Sequence, residues 1–166
     1  DALVAAVEPL GLRASPSPFR RHTMACTGIE FCKLAFVNTK DAARETVDEL
    51  ERRLDGLDLD VPVRLHVNGC PNSCARIQVA DIGLKGQVAK AADGSDEFAF
   101  QVHLGGGLAS DERDEAGLGR TVRGLKVLAT ELPDYVERVV RTFAGARVDG
   151  ETFSEWVRRA DEEALR

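Results

Sequence analysis

The chain has 166 residues, 43% hydrophobic and 30% charged, a balance that predicts one globular domain with its own core. Lys plus Arg number 22 against 28 for Asp plus Glu, and the formal charge of −6 argues against broad binding to nucleic acid. No apolar run approaches the roughly 20 residues of a membrane-spanning helix, and no signal peptide is evident, so a cytoplasmic protein without membrane association is expected.

Residues 1–19 read as a helix and linker: a helix over Asp1 to Leu10, then Gly11 and a Pro16-Ser17-Pro18 turn. Residues 20–166 form the domain proper. Phe19 to Ala25 is expected to be a strand leading into the first cysteine loop. A helix follows, capped by Asn38 or Thr39, striped with Val47, Leu50 and Leu54, and ended by Gly56. Val63, Leu65 and Val67 alternate with polar residues, predicting a strand that runs into Gly69-Cys70-Pro71. Pro71 suits a first helical turn, which would put Cys74 on a short helix. Ile77 to Val88 reads as one or two strands broken at Gly83 and Gly86, and Ala91 to Glu97 as a hairpin loop. Phe98, Phe100, Val102 and Leu104 mark another strand, ended by Gly105-Gly106-Gly107. An acidic loop from Ser110 to Ala116 precedes two helices. The first carries Val136, Val139, Val140 and Phe143 at helical spacing, with Thr130 as its cap. The second opens on the capping box Thr152 to Glu155 and buries Phe153, Trp156 and Val157. The fold class is α+β: a mixed β-sheet flanked by helices, with both cysteine pairs on loops at its edge.

The four cysteines form two tight pairs, Cys26-x5-Cys32 and Cys70-x3-Cys74, separated by 37 residues. In a reducing compartment clustered thiols hold metal more often than disulfides. Four thiolates suit an iron–sulfur cubane or a tetrahedral zinc. The five-residue first gap and the glycines Gly28 and Gly69, which let backbone approach a bulky group, favour the cluster. A structural module stapled by zinc on the four cysteines, and plain thiols or disulfides, stay open at this point.

Other polar residues have plainer readings. His66 and His103 sit mid-strand, where a hydrogen-bonded or interface histidine is expected. His22 is close enough to Cys26 in sequence to orient the cysteine loop. Arg120, Arg123 and Lys126 read as solvated surface charge, with contact to an anionic cofactor or an acidic partner as the functional alternative. Gly105 to Gly107 lacks both the Walker ending and the Rossmann spacing, so it is not a nucleotide loop.

The segments Ala25-Cys26-Thr27-Gly28-Ile29-Glu30-Phe31-Cys32 and Asn68-Gly69-Cys70-Pro71-Asn72-Ser73-Cys74-Ala75-Arg76 resemble the signature of the sirohaem-containing sulfite and nitrite reductases. Asp81-Ile82-Gly83-Leu84-Lys85-Gly86, Phe100 to Gly106, Glu131 to Val136 and Glu155-Trp156-Val157 continue the likeness, which is similar to the actinobacterial ferredoxin-dependent sulfite reductases. The resemblance implies that Cys26, Cys32, Cys70 and Cys74 hold a [4Fe–4S] cluster. It also implies that Cys74 is the axial thiolate shared with the sirohaem iron, with Asn72, Thr27 and Arg76 near the macrocycle. Electrons would come from ferredoxin and reduce sulfite or nitrite. Family members are much longer, so the resemblance implies a missing N-terminal half that carries the substrate-anion residues. The chain alone is then expected to lack turnover, and its opening on Asp1 rather than Met reads as the mark of an excised half. Some cobalamin-pathway oxygenases share the cluster motif and form the alternative within this fold.

Overall fold

The computed structural model describes residues 2–110 and 113–166. The first helix, α1 (Ala2–Val7), runs into a 3-10 turn at Glu8–Leu10 that closes on Gly11. Asp1 lies outside the described residues, as do two positions of the expected acidic loop at 110–116.

The expected strand at Phe19 to Ala25 is corrected in its first half. Residues Pro18–His22 form helix α2, and only Thr23–Ala25 form strand β1. The Ser17 hydroxyl accepts the Arg20 N–H at 3.1 Å, and Pro18 follows it at the start of the helix. The Pro-Ser-Pro stretch is therefore a helix start as well as a turn. Arg20 reaches Glu51 and Asp48 of the next helix, and Ser17 donates to Glu51 at 2.6 Å. That guanidinium draws the Glu51 carboxyl down to about 2.

Helix α3 (Thr39–Arg53) begins where the sequence places it. The Asn38 side chain accepts the Asp41 N–H at 3.3 Å, and Gly56 takes φ 79° just beyond the helix. Strand β2 (Leu65–Asn68) lies parallel to β1, so β1, α3 and β2 make a parallel crossover unit. β3 (Ile82–Lys90) is parallel to β2, and β4 (Asp96–Leu104) and β5 (Arg120–Leu128) add antiparallel strands. The sheet order β1-β2-β3-β4-β5 is mixed, as the sequence predicts.

Three further expectations are revised. Ile77–Val79 is a separate 3-10 turn, and β3 runs unbroken through Gly83 and Gly86. Arg120 to Lys126 belong to strand β5, which is additional to the expected elements. Thr130 does not cap helix α4 (Leu132–Ala146): it lies in the 3-10 turn Ala129–Glu131, and no side chain caps that helix. Helix α5 (Phe153–Arg159) has its capping box, with both the Thr152 and the Glu155 bonds made.

The core is one cluster. Leu65, Val67, Ile82, Leu84, Phe100 and Val102 on one sheet face meet Leu50 of α3, Phe143 of α4 and Trp156 of α5. By alternation His66, Lys85, Gln101 and His103 lie on the other sheet face. Their register sets His66, Gly83 and His103 side by side.

Gly83 shows why the 3-10 turn fits there. A Cβ at this position would lie 2.0 Å from the Ile77 carbonyl oxygen, a backbone atom that cannot swing aside. Gly83→Ala is expected to cost about 3 kcal/mol by forcing that turn off the sheet, read as a lower urea midpoint.

Candidate functional site

Both cysteine pairs follow the C-terminal ends of adjacent parallel strands. Cys26 is the residue after β1, and Cys70 lies two residues after β2. The Cys26 N–H donates to Val67 O at 3.0 Å, extending the ladder, and the Gly69 N–H donates to Cys26 Sγ at 3.3 Å. The two pairs, far apart in sequence, are thus stitched together by backbone.

The first loop folds on itself. Gly28 takes φ 71°, and its carbonyl accepts the Phe31 and Cys32 N–H groups at 3.3 and 2.9 Å. The Ile29 N–H donates to Val37 O at 3.1 Å, and the Phe36 N–H donates to Gly69 O at 2.8 Å, which ties this loop to the second. Around Cys32 the loop turns Ile29, Phe31, Leu34 and Phe36 outward, with Lys40 Nζ 4.2 Å from the Phe31 ring centre.

The second loop corrects the expected helix at Pro71. Residues 71–72 and 74–75 are short turns on either side of Ser73, which takes φ 56°, and Arg76 follows at φ 54°. The physical reason is Asn68. Fully buried at the end of β2, its Nδ2 donates to Cys70 O at 2.6 Å and its Oδ1 accepts the Ala75 N–H at 2.9 Å. One side chain therefore braces both ends of the Cys70 to Cys74 loop and satisfies groups that a helix would otherwise pair. Sequence reasoning missed this role; an asparagine ending a buried strand beside Gly-Cys was the available signal.

All four thiols are free of disulfides. Cys70 is buried, Cys26 and Cys32 are half-buried, and Cys74 is exposed. Thr27, Asn72 and Arg76 are also exposed on the same two loops. Among the described residues no group of three or more His, Cys, Asp or Glu side chains closes on a point where one metal ion could sit. A cubane takes each thiolate on a different iron, so its sulfurs stand farther apart than the ligands of a single ion. The donor set, four free thiols on two loops joined at adjacent strand ends, fits that larger group. A Cβ at Gly69 would press on Ala35 at 2.7 Å, and one at Gly28 would press on Thr39 at the same distance.

Beside the second loop lies a cleft of about 430 Å³, walled by Arg21, His22, Met24, Arg64, His66 and Arg76 among others. No carboxylate lines it among the described residues. His22 is placed on this wall, at the end of α2. The His66 Nδ1 lies 3.3 Å from the Arg76 carbonyl, and burial pushes its imidazole below the usual histidine range. His103 is likewise held low by burial, and its Nε2 has no hydrogen-bond partner. Arg120 has a structural role, donating to Ala160 O at 2.7 Å and so tying β5 to the end of α5. With Arg123 and Lys126 it sits on the sheet edge opposite β1, away from the cysteine loops.

Asp81, just before β3, is buried and accepts the Arg64 N–H at 2.9 Å; its carboxyl is pushed up to about 6 by burial. The folded chain then holds a proton that the unfolded chain, with an ordinary carboxyl near 3.8, releases. This group therefore favours folding most below pH 4, and that contribution is lost as pH rises through about 6. Asp81→Asn is expected to flatten this dependence, with a gain relative to wild type of roughly 2–3 kcal/mol between about pH 4 and 7.5. Thermal unfolding of both proteins across that range measures it.

The geometry agrees with what the chain resembles among known proteins. Residues 17–166 match the model of the family described as nitrite and sulphite reductase 4Fe-4S domain. The chain belongs to this family. It is 55% identical over 168 residues to the protein named sulfite reductase (ferredoxin) 1 of Mycolicibacterium paratuberculosis, covering all of this chain and 30% of that one. It is 39% identical over 143 residues to the ferredoxin–nitrite reductase of Synechococcus elongatus, covering 84% of this chain and 26% of that one. Among solved structures, the NirA protein of Mycobacterium tuberculosis superposes with a TM-score of 0.93 at 53% identity, over 100% of this chain and 30% of that chain. The chain thus spans about a third of the length of these reductase-family relatives. In a 4Fe-4S family domain the two cysteine loops are the place to seek the cluster.

Proposed function

We propose that this chain is the cluster- and sirohaem-bearing portion of a cytoplasmic, ferredoxin-dependent reductase of sulfite or nitrite. The observation that carries the reading is that the two loops bearing the four free cysteines are stitched together by the Gly69 N–H to Cys26 Sγ bond. Cys26, Cys32, Cys70 and Cys74 would hold a [4Fe–4S] cluster, and Cys74, the exposed thiol, would also face the sirohaem iron. Such a bound pair would supply stepwise one-electron transfer to an anionic substrate.

The chain's own residues have definable roles. Asn68 fixes the spacing of Cys70 and Cys74 through its two backbone bonds. Gly28 and Gly69 let the loops pack closely against Thr39 and Ala35, where a Cβ would not fit. Asn72, Thr27 and Arg76, exposed on the two cysteine loops, would flank a flat macrocycle bound beside Cys74. The arginines of the adjoining cleft suit its many carboxylates, since guanidinium pairs with carboxylate through two parallel hydrogen bonds. Sulfite is preferred to nitrite because the relatives at 53–55% identity are named sulfite reductases.

Ferredoxin is the proposed donor, and the substrate-anion residues are assigned to the part of the relatives that this chain does not span. The 166-residue chain is therefore expected not to turn over sulfite by itself. Anaerobic loading with iron, sulfide and sirohaem tests the binding roles: the expected spectrum has a broad cluster band and a Soret band. Sulfite-dependent electron uptake by the loaded chain alone would contradict the assignment of the anion residues elsewhere.

A further inference from the structure

Thr39 is polar, fully buried and the first residue of α3. Its Oγ1 donates to the Cys26 carbonyl at 2.7 Å and lies 3.6 Å from Cys26 Sγ. A hydroxyl has one proton to give, and the shorter contact takes it. The sulfur receives its hydrogen bond from elsewhere, the Gly69 N–H at 3.3 Å. Thr39 is also wedged against both cysteine loops. A Cβ at Gly28 would lie 2.7 Å from its Oγ1, and a Cβ at Gly69 would lie 3.4 Å from its Cγ2. The hydroxyl thus fixes the Cys26 main chain while the methyl backs the strand end that offers the amide. The base beneath it is firm, because Asn38 caps α3 immediately before Thr39.

Resting on the cluster reading above, we infer that Thr39 is a positioning residue that sets how readily the cluster accepts an electron, by holding Cys26 where its sulfur accepts the Gly69 amide. An amide hydrogen bond to a ligand thiolate withdraws electron density and stabilises the added electron, so it raises the reduction potential. Without the hydroxyl, the part-buried Cys26 carbonyl loses this donor and the loop relaxes away from Gly69. Neither the hydroxyl nor the methyl needs to touch the cluster for this effect.

The test is a redox titration of the anaerobically loaded chain, followed by its visible and electron paramagnetic resonance signals. Thr39→Val keeps the shape and removes the hydroxyl, and a shift to more negative potential is expected. Thr39→Ser keeps the hydroxyl, and a potential at the wild-type value is expected. A wild-type potential in Thr39→Val overturns the inference, as does an equal shift in both variants, which would make the methyl the cause. If Thr39→Val does not fold or load, amide exchange of Gly69 in the loaded wild-type chain decides. Strong protection is expected, and exchange at the rate of a free amide overturns the inference. A wild-type chain that takes up no cluster defeats the reading beneath it as well, whereas a loaded wild type with an unmoved Thr39→Val defeats this inference alone.

Discussion

Cys70→Ala is expected to abolish cluster assembly while leaving the chain folded. Cys70 is the buried member of the four, set between the Asn68 brace and the Gly69 stitch. A [4Fe–4S] cluster needs one thiolate on each iron, so losing Cys70 leaves one iron without its ligand. Iron and sulfide after loading should fall to background, with the broad visible band absent. Folding should survive, because neither Cys70 nor the rest of its loop belongs to the hydrophobic cluster of the sheet and helices α3 to α5. A folded Cys70→Ala chain with wild-type iron content would remove Cys70 from the ligand set.

Trp156→Ala should have the largest effect on stability. Trp156 is buried against Phe143 and Phe153, with ring centres 5.6 and 5.5 Å away, and those two rings lie 5.2 Å apart edge to face. The truncation removes the centre of this aromatic trio and leaves a cavity under α4 and α5. A loss of about 3–5 kcal/mol is expected. A domain of this size has only about 5–15 kcal/mol to lose, so the midpoint of chemical unfolding should fall steeply. The cysteine loops are built at the ends of β1 and β2, so a chain that still folds should load its cluster normally. A change under about 1 kcal/mol would show that the trio is not the keystone of this core.

Much of the architecture was legible because local chemistry and tertiary packing agree. Asn38 and the Thr152 to Glu155 box are strong caps, and each opens the helix expected of it. The alternation of Phe98 to Leu104 survives because its core face is fully covered toward the end of the strand. β5 was obscured by its own geometry. It carries Gly124 at φ 78°, and its register with β4 shifts between Gln101 and His103. Its apolar residues Val122, Leu125 and Val127 therefore do not keep strict alternation, and its arginines mask the rest. The second cysteine loop misled for another reason. Pro71 is a helix-start signal in isolation, yet the Asn68 side chain already holds the Ala75 amide, and Ser73 turns into the left-handed region. The cysteines could be grouped by spacing alone. Thr39 could not be joined to them, since only the folded chain brings its hydroxyl to the Cys26 carbonyl.

If the four cysteines form one cluster site, the loaded chain must carry iron and sulfide in equal number. Metal and sulfide analysis of the anaerobically loaded chain, read with electron paramagnetic resonance after reduction, tests it most directly. Four irons and four sulfides per chain are expected, with a broad brown absorbance that bleaches on reduction and the signal of a singly reduced cluster. A colourless chain holding one zinc, with no bound sulfide, would contradict it.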